Sequence, residues 1–236
     1  MSAKSASIKG RISFLKHPDG ACEIEHGKSR IWCAINGPGD VQSSKRIFDR
    51  VNVMCDFNRL PFATDKIEIS KSNNVASTSN IANKFIADVI ESAIDTSAYP
   101  RTCLQVCSQE IKVDGLMDSL LINGLCLALL DCGVRLKHIF CAVAVCKCKR
   151  IAKEEEIFVV EPNQLDLVSA ESVYTFVFKP SLTAAGGGDL MANDSSGSFS
   201  SEDYEKALKL AQSECLPIFD FYRRQIYEKF GHSLKN

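Results

Sequence analysis

Apolar and polar residues alternate through "ACEIEHGKSRIWCAINGP" in two runs that meet at His26-Gly27-Lys28 and close at Gly37-Pro38. Successive side chains on a strand face opposite ways, so this pattern predicts a half-buried β-hairpin. "RIFDRVNVMCDF" alternates in part, through Ile47, Val51, Val53 and Cys55, and predicts a third strand. "LPFATDKIEISKSNNVASTSN" is polar and rich in Ser and Asn, which predicts a surface loop. From Asn80 the period lengthens. Ile81, Phe85, Val89, Ile90 and Ala93 recur at helical spacing and predict an amphipathic helix to about Ser97. "YPRTCLQVCSQEIKV" predicts a strand, with Pro100 at its start, where a missing N–H is tolerated. In "KVDGLMDSLLINGLCLALLDCG" a tight turn leads into a helix from about Leu116 to Asp131, stopped by Cys132-Gly133. That helix is apolar around most of its circumference, so it belongs against a sheet, away from water. "HIFCAVAVCKCK" and "EIFVV" predict strands on either side of the charged turn "KRIAKEEE", and "ESVYTFVFKP" predicts another. "TAAGGGDLMANDSSGSFS" reads as a loop, a short strand and a turn. A C-terminal helical segment over 200–231 closes the chain, with Ser and acidic residues suited to its N-terminus. Pro217 lies inside that segment and predicts a kink or a division.

The order of elements, without internal repeats or a linker, predicts one α+β domain over 1–236, with mixed sheets packed with helices. Residues 1–11 are expected to be a flexible tail. With 236 residues, 45% of them hydrophobic, the chain can bury one sizeable core or two small ones. Its 28 basic and 29 acidic residues nearly cancel, which excludes a whole-surface field for nucleic acid and leaves only local patches. No apolar run reaches the roughly 18–20 residues that span a bilayer, so no membrane role is expected. "MSAKSASIKGRISF" lacks the apolar region of a secretory signal, which predicts an intracellular protein. Eleven cysteines lie mostly within apolar stretches, no C-x-x-C pair occurs, and His17, His26, His138 and His232 are scattered. These cysteines are expected to be buried reduced thiols, and no metal site is expected. Cys146 and Cys148, two apart on a strand, share one face.

Several segments together resemble the ribonuclease PH-fold proteins. "HPDGACEIEHGKSRIWCAINGP" is similar to the opening hairpin of that family, with its D-G, its turn and its closing N-G-P. "YPRTCLQVCSQEIKVDG" followed by "NGLCLALLDCGV" resembles the central strand, turn and helix. "LMANDSSGSFSSEDYEKALKLAQ" resembles the last strand, turn and C-terminal helix. The resemblance runs from about Ile12 to Phe230 and implies a ribonuclease PH-like fold, of the ribosomal protein S5 domain 2-like kind. The short N-terminus, "SSKRIFDRVNV" and "IFDFYRRQIYEKFGHS" narrow it to the subunits of the eukaryotic RNA exosome ring.

Active members of the family hold inorganic phosphate with a G-T-R segment at the strand–helix turn. The aligned residues here are Leu116, Met117 and Asp118, so a carboxylate stands at the arginine position. A helix N-terminus attracts anions, and a first-turn carboxylate takes that potential for itself. A unit charge about 4 Å from phosphate contributes roughly 1 kcal/mol in water and about 4 kcal/mol at an effective dielectric of 20. Exchanging arginine for aspartate removes one attraction and adds one repulsion, a loss of roughly 2 to 8 kcal/mol. Active relatives also carry two acids six residues apart; the positions here are Glu161 and Leu167, with Asp166 next to the second. Glu161, before Pro162, reads as a solvated turn acid. Asp166 would need a shifted loop to complete the pair. No catalytic residue is expected.

Gly186–Gly188 read as a hairpin loop and not as a phosphate cradle, since no Lys-Ser/Thr follows. Arg46, Arg50 and Arg59, with Lys45 and Lys66, cluster around the third strand. Arg59 is a candidate for contact with an RNA backbone, against the alternative of a solvated strand edge. In "FDFYRRQIYEKF", the spacing of Phe219, Tyr222, Ile226 and Phe230 favours core or interface over base stacking.

The resemblance implies a non-catalytic structural subunit of the exosome core ring, threading RNA to a separate nuclease. Its implied partners are other ribonuclease PH-like ring subunits, S1/KH cap subunits, the hydrolytic exosome nuclease and RNA in the channel, with a homodimer in isolation as a further form. It implies residence in nucleus, nucleolus and cytoplasm, and no cofactor. Two enzyme readings stand beside it. One is a phosphate-dependent 3′-to-5′ exoribonuclease completed by Asp166 or a neighbour's residues. The other is a homodimeric metal-dependent nuclease outside the exosome, with Asp114 and Asp118 on Mg²⁺.

Overall fold

In the computed structural model, residues 8–59, 75–149, 156–181 and 187–233 are described. The first sheet contains β1 (Lys9–Ile12), β2 (Gly20–His26), β3 (Ser29–Gly39), β4 (Asn52–Asn58) and β5 (Cys103–Lys112), in the order β1-β2-β3-β5-β4. All its pairings are antiparallel except β4 with β5, which is parallel. The second sheet contains β6 (Cys141–Lys149), β7 (Glu156–Val160), β8 (Ala170–Pro180) and β9 (Gly188–Gly197), antiparallel in the order β7-β6-β8-β9. The helices are α1 (Val75–Ala93), α2 (Asp118–Cys132), the single turn α3 (Gln164–Val168) and α4 (Ser201–Ser233).

The nearly all-apolar helix α2 explains the layering. Every residue from Ser119 to Leu129 is buried, with β2 and β3 against one side and β6 against the other. Gly124 allows the close approach, because a Cβ there would come within 2.9 Å of both Cys33 Sγ and Ile24 Cγ2. One core results, drawing Ile24, Ile31, Ile35 and Val106 from the first sheet and Val143, Phe176 and Phe178 from the second. This is the α+β architecture expected from the pattern.

Five expectations need correction. Residues 9–11, assigned to a flexible tail, belong to β1 and pair with β2 through Lys9↔Glu25 to Ile12↔Cys22; residues 1–7 lie outside the described part. Pro217 does not divide α4, which runs from Ser201 to Ser233. Burial of Ala207, Ala211, Cys215, Ile218, Phe219 and Tyr222 anchors the helix on both sides of Pro217 and offsets the one hydrogen bond that proline removes. The segment around "LMANDSSGS" is no short strand but the ten-residue β9, paired with β8 from Gly188 to Gly197 apart from an irregularity at Met191. The third strand begins only at Asn52, so Ile47 and Val51 precede it. Of the expected loop "LPFATDKIEISKSNNVASTSN", residues 60–74 lie outside the described part, and Val75 to Asn80 open α1. The turn "KRIAKEEE" also falls mainly outside the described residues, as do Lys66 and Gly186.

All eleven cysteines are free thiols, seven of them buried. Cys146 and Cys148 do share a face, with Sγ atoms 3.3 Å apart.

Candidate functional site

The turn into α2 is shaped by Gly115. Its φ of +117° is open to glycine, and a Cβ there would run into the Pro162 carbonyl oxygen. The β5–α2 turn and the β7–α3 corner are thereby pressed together. Leu116 packs, partly buried, with Cys146, Cys148, Leu167 and Val173 in a small apolar cluster. Met117 takes the N-cap position, where a thioether supplies no cap, and its side chain is buried in the core. The first free carboxylate at this helix end is therefore Asp118.

Asp118 has a partner. Arg59 Nη2, just past β4, donates to Asp118 Oδ1 at 2.8 Å, and Arg59 Nε donates to Asn83 Oδ1 on α1 at 3.1 Å. The two charged side chains are only 22% and 20% exposed, so water screens the pair incompletely. Arg59, the candidate for RNA contact, pairs with the carboxylate that stands at the aligned arginine position. Arg46 and Arg50 are likewise paired, with Asp40 and Glu91. Asp194 of β9 lies close enough to Asp118 to feel its charge; burial first and Asp118 second push its carboxyl above the usual range.

The next residue of α2, Ser119, turns the other way. Its Oγ donates to Glu161 Oε2 at 2.9 Å, and the Ala144 N–H of β6 donates to Glu161 Oε1 at 3.0 Å. Glu161 is thus not a solvated turn acid. Its backbone sits at φ +49°, a strained conformation for a residue with a side chain, which folds the carboxyl inward between α2 and β6. Desolvation pushes this carboxyl up to about 7 against the two hydrogen bonds, and Glu214 pushes the same way.

Asp166 does not complete an acid pair. It occupies the third position of α3, where its Oδ2 accepts from the Asn163 N–H at 3.1 Å while Asn163 Oδ1 accepts from the Asp166 N–H at 3.0 Å. This is a capping box, and it fixes the Asp166 carboxylate to its own turn. Leu167 points inward and is buried. Asp114 accepts from the Gln164 N–H through Oδ1 at 3.4 Å, apart from Asp118 and Arg59 in its bonding. Among the described residues no group of three or more His, Cys, Asp or Glu side chains converges as metal ligands would. The fold therefore links the turn into α2 with Glu161 through Ser119, while the Asp166 carboxylate bonds within its own turn.

Sequence reasoning missed the Arg59–Asp118 pair and the inward-turned, half-buried Glu161. Opposite charges 59 positions apart carry no local signal, and a glutamate before a proline looks like any exposed turn. At such a site an incoming anion meets a helix terminus already facing a carboxylate and a guanidinium already neutralised.

Residues 6–135 match the 3′ exoribonuclease family, domain 1, of RNase PH. Over 232 residues the chain is 29% identical to a protein named exosome complex component RRP46 homolog from Caenorhabditis elegans, covering 98% of each. It is 31% identical over 226 residues to exosome complex component rrp46 of Schizosaccharomyces pombe, covering 94% of this chain and 91% of that one. The crystal structure of rice Rrp46 superposes with a TM-score of 0.76 over 93% of this chain and 94% of that one; at 18% identity the likeness is one of fold. Given a match across more than half its length, and full-length relatives at this identity, the chain belongs to the 3′ exoribonuclease (RNase PH) family.

Proposed function

We propose that this chain is a non-catalytic ring subunit of the RNA exosome, supporting 3′-to-5′ RNA processing and degradation by guiding RNA to a separate nuclease. Support for the assembly comes from the relatives named as exosome components, matched from end to end. Support for the missing chemistry comes from one observation, the 2.8 Å pair between Arg59 and Asp118 at the start of α2. A phosphate nucleophile held there needs net positive charge, and the Asp118 carboxylate already offsets the Arg59 guanidinium before the anion arrives. The narrower likeness, to the ring subunit known as exosome component five, rests on the N-terminus, "SSKRIFDRVNV" and "IFDFYRRQIYEKFGHS". The relatives themselves carry the name Rrp46.

Other ribonuclease PH-like ring subunits are its partners, with S1/KH cap subunits and a hydrolytic nuclease on the two faces, and RNA in the channel. A homodimer is the form proposed in isolation. Nucleus, nucleolus and cytoplasm are the proposed compartments.

The decisive assay incubates the purified chain with single-stranded RNA and inorganic phosphate. No nucleoside diphosphate above background is the expected result. Phosphate-dependent release that Glu161→Gln or Asp166→Asn abolishes overturns the non-catalytic reading. Nuclease activity that survives phosphate removal but not chelation overturns it in favour of a metal-dependent nuclease. Ring membership is tested separately, by native purification from the cells of origin. Co-elution with other ribonuclease PH-like subunits is expected, and recovery only as a lone small species counts against it.

A further inference from the structure

Beyond the Arg59–Asp118 pair, the fold encloses a second feature that the ring-subunit reading does not use. A cavity of about 310 Å³ opens between the β2–β3 hairpin, β6, the end of β7 and α4. Its walls are mainly apolar, from Val143, Val160, Pro217, Ile218 and Phe221, and its charged lining is Glu161, Glu214 and Arg224. This size and make-up, an apolar chamber with a few convergent polar groups, are those of small-ligand sites.

Two properties of the lining select the ligand. The carboxyls of Glu161 and Glu214 lie close enough to interact electrostatically, and they come from different elements, the β7–α3 corner and α4. Arg224 is exposed, and its Nε donates to the Asp220 carbonyl at 3.4 Å, which directs part of the guanidinium along its own helix. The cavity is therefore acid-biased at its polar end and apolar along its length. Glu161 is also held in a strained backbone conformation by the fold. Residues so held concentrate where a side chain must be aimed at something.

We propose that this cavity binds an aliphatic ammonium, its charged head beside Glu161 and Glu214 and its alkyl chain along Ile218 and Phe221. The ammonium comes either from a free polyamine or from a lysine side chain of a neighbouring protein. A cation at this place stabilises the ionised form of Glu161, so binding releases a proton when the free site is protonated. The charged and titratable groups facing Glu161 are Glu214 and Arg224 from α4, His26 from β2 and Cys141 from β6. Burial pushes the Cys141 thiol well up, so it stays neutral.

The test uses the full chain and n-butylammonium, followed by amide chemical shifts in an NMR titration. Saturable shifts at Val143, Glu161, Glu214 and Phe221 are expected at pH 8, with affinity roughly tenfold weaker at pH 5.5, where Glu161 is protonated. Glu161→Gln keeps the acceptor for the Ala144 N–H, donates to Ser119 Oγ where the carboxylate accepted from it, and removes the charge; it is expected to abolish the pH dependence and weaken binding roughly tenfold. Glu214→Gln, which removes the second carboxylate of the lining, is expected to weaken binding while leaving the fold intact. Spermidine binding more tightly than n-butylammonium identifies a free polyamine as the source; equal or weaker binding identifies a side chain. Absence of saturable shifts, equal affinity at the two pH values, or undiminished binding by Glu161→Gln overturns the proposal. None of these outcomes depends on ring membership or on the phosphorolysis assay.

Discussion

Asp118 stands where the free N–H groups of α2 gather, and its carboxylate meets Arg59 at 2.8 Å. The pair is partly shielded, so its contribution lies near the upper end of surface ion pairs, about 1 kcal/mol. A double-mutant cycle with Arg59→Ala and Asp118→Ala, read by urea denaturation, is expected to give a coupling energy of about that size. A coupling near zero would remove the basis for calling the pocket internally neutralised. Glu161 offers the opposite kind of test. Its carboxyl is raised from 4.5 to about 7, so the folded chain binds this proton more tightly than the unfolded chain. The associated stability is fully present below pH 4.5 and is lost as pH rises through 7. Glu161→Gln, which cannot ionise, is therefore expected to match the wild type at pH 4.5 and exceed it by roughly 1–3 kcal/mol at pH 8. Denaturation midpoints at the two pH values check it.

At the scale of elements, one buried side chain ties three of them together. Asp131 near the end of α2 accepts from the Ser13 N–H, the Ser13 hydroxyl and the Ala21 N–H at 3.1, 2.7 and 2.9 Å. It also receives Lys229 Nζ from α4 at 2.6 Å. Removing it leaves donors unsatisfied at the β1–β2 connection and a lysine without its buried carboxylate. Asp131→Ala is expected to cost about 3 kcal/mol, with hydrogen exchange accelerated in β1 and in the last turns of α4. The elements themselves were unequally legible. Alternation or a continuous apolar run announced β2, β3, β5, β6 and β8, because one or both faces of those strands are covered by α2 or α4. Strand β9 was legible only in part, as a short strand. It is an edge strand with mostly exposed residues, so its polar sequence looks like a loop until β8 is placed beside it. The turn α3 was hidden. Five residues cannot show a period, and Leu165 and Val168 are 82% and 81% exposed.

For the whole molecule, opposing titrations set a window of stability. Lys147 and the Ser200 N–H hold Asp203 down to about 2. Burial opposes the same effect at Asp131, but Lys229, Ala21 and Ser13 outweigh it and hold the carboxyl below its usual range. Depressed carboxylates contribute stability above pH 3.8 that disappears as pH falls through their folded values. Glu161 penalises the folded state on the alkaline side. Maximum stability is therefore expected between about pH 4.5 and 6, which a pH series of thermal midpoints would check. The sequence alone determined most of the strands and the long helices, the single apolar helix at the centre, and the carboxylate that opens it at Asp118. Each of these is a local property, readable from spacing or from one residue type. Tertiary structure alone decided that Arg59 faces Asp118, that Glu161 is desolvated and not solvated, and that Asp166 caps its own turn. Those outcomes depend on which distant segments meet and how much water they exclude, and neither quantity is written in the order of residues along the chain.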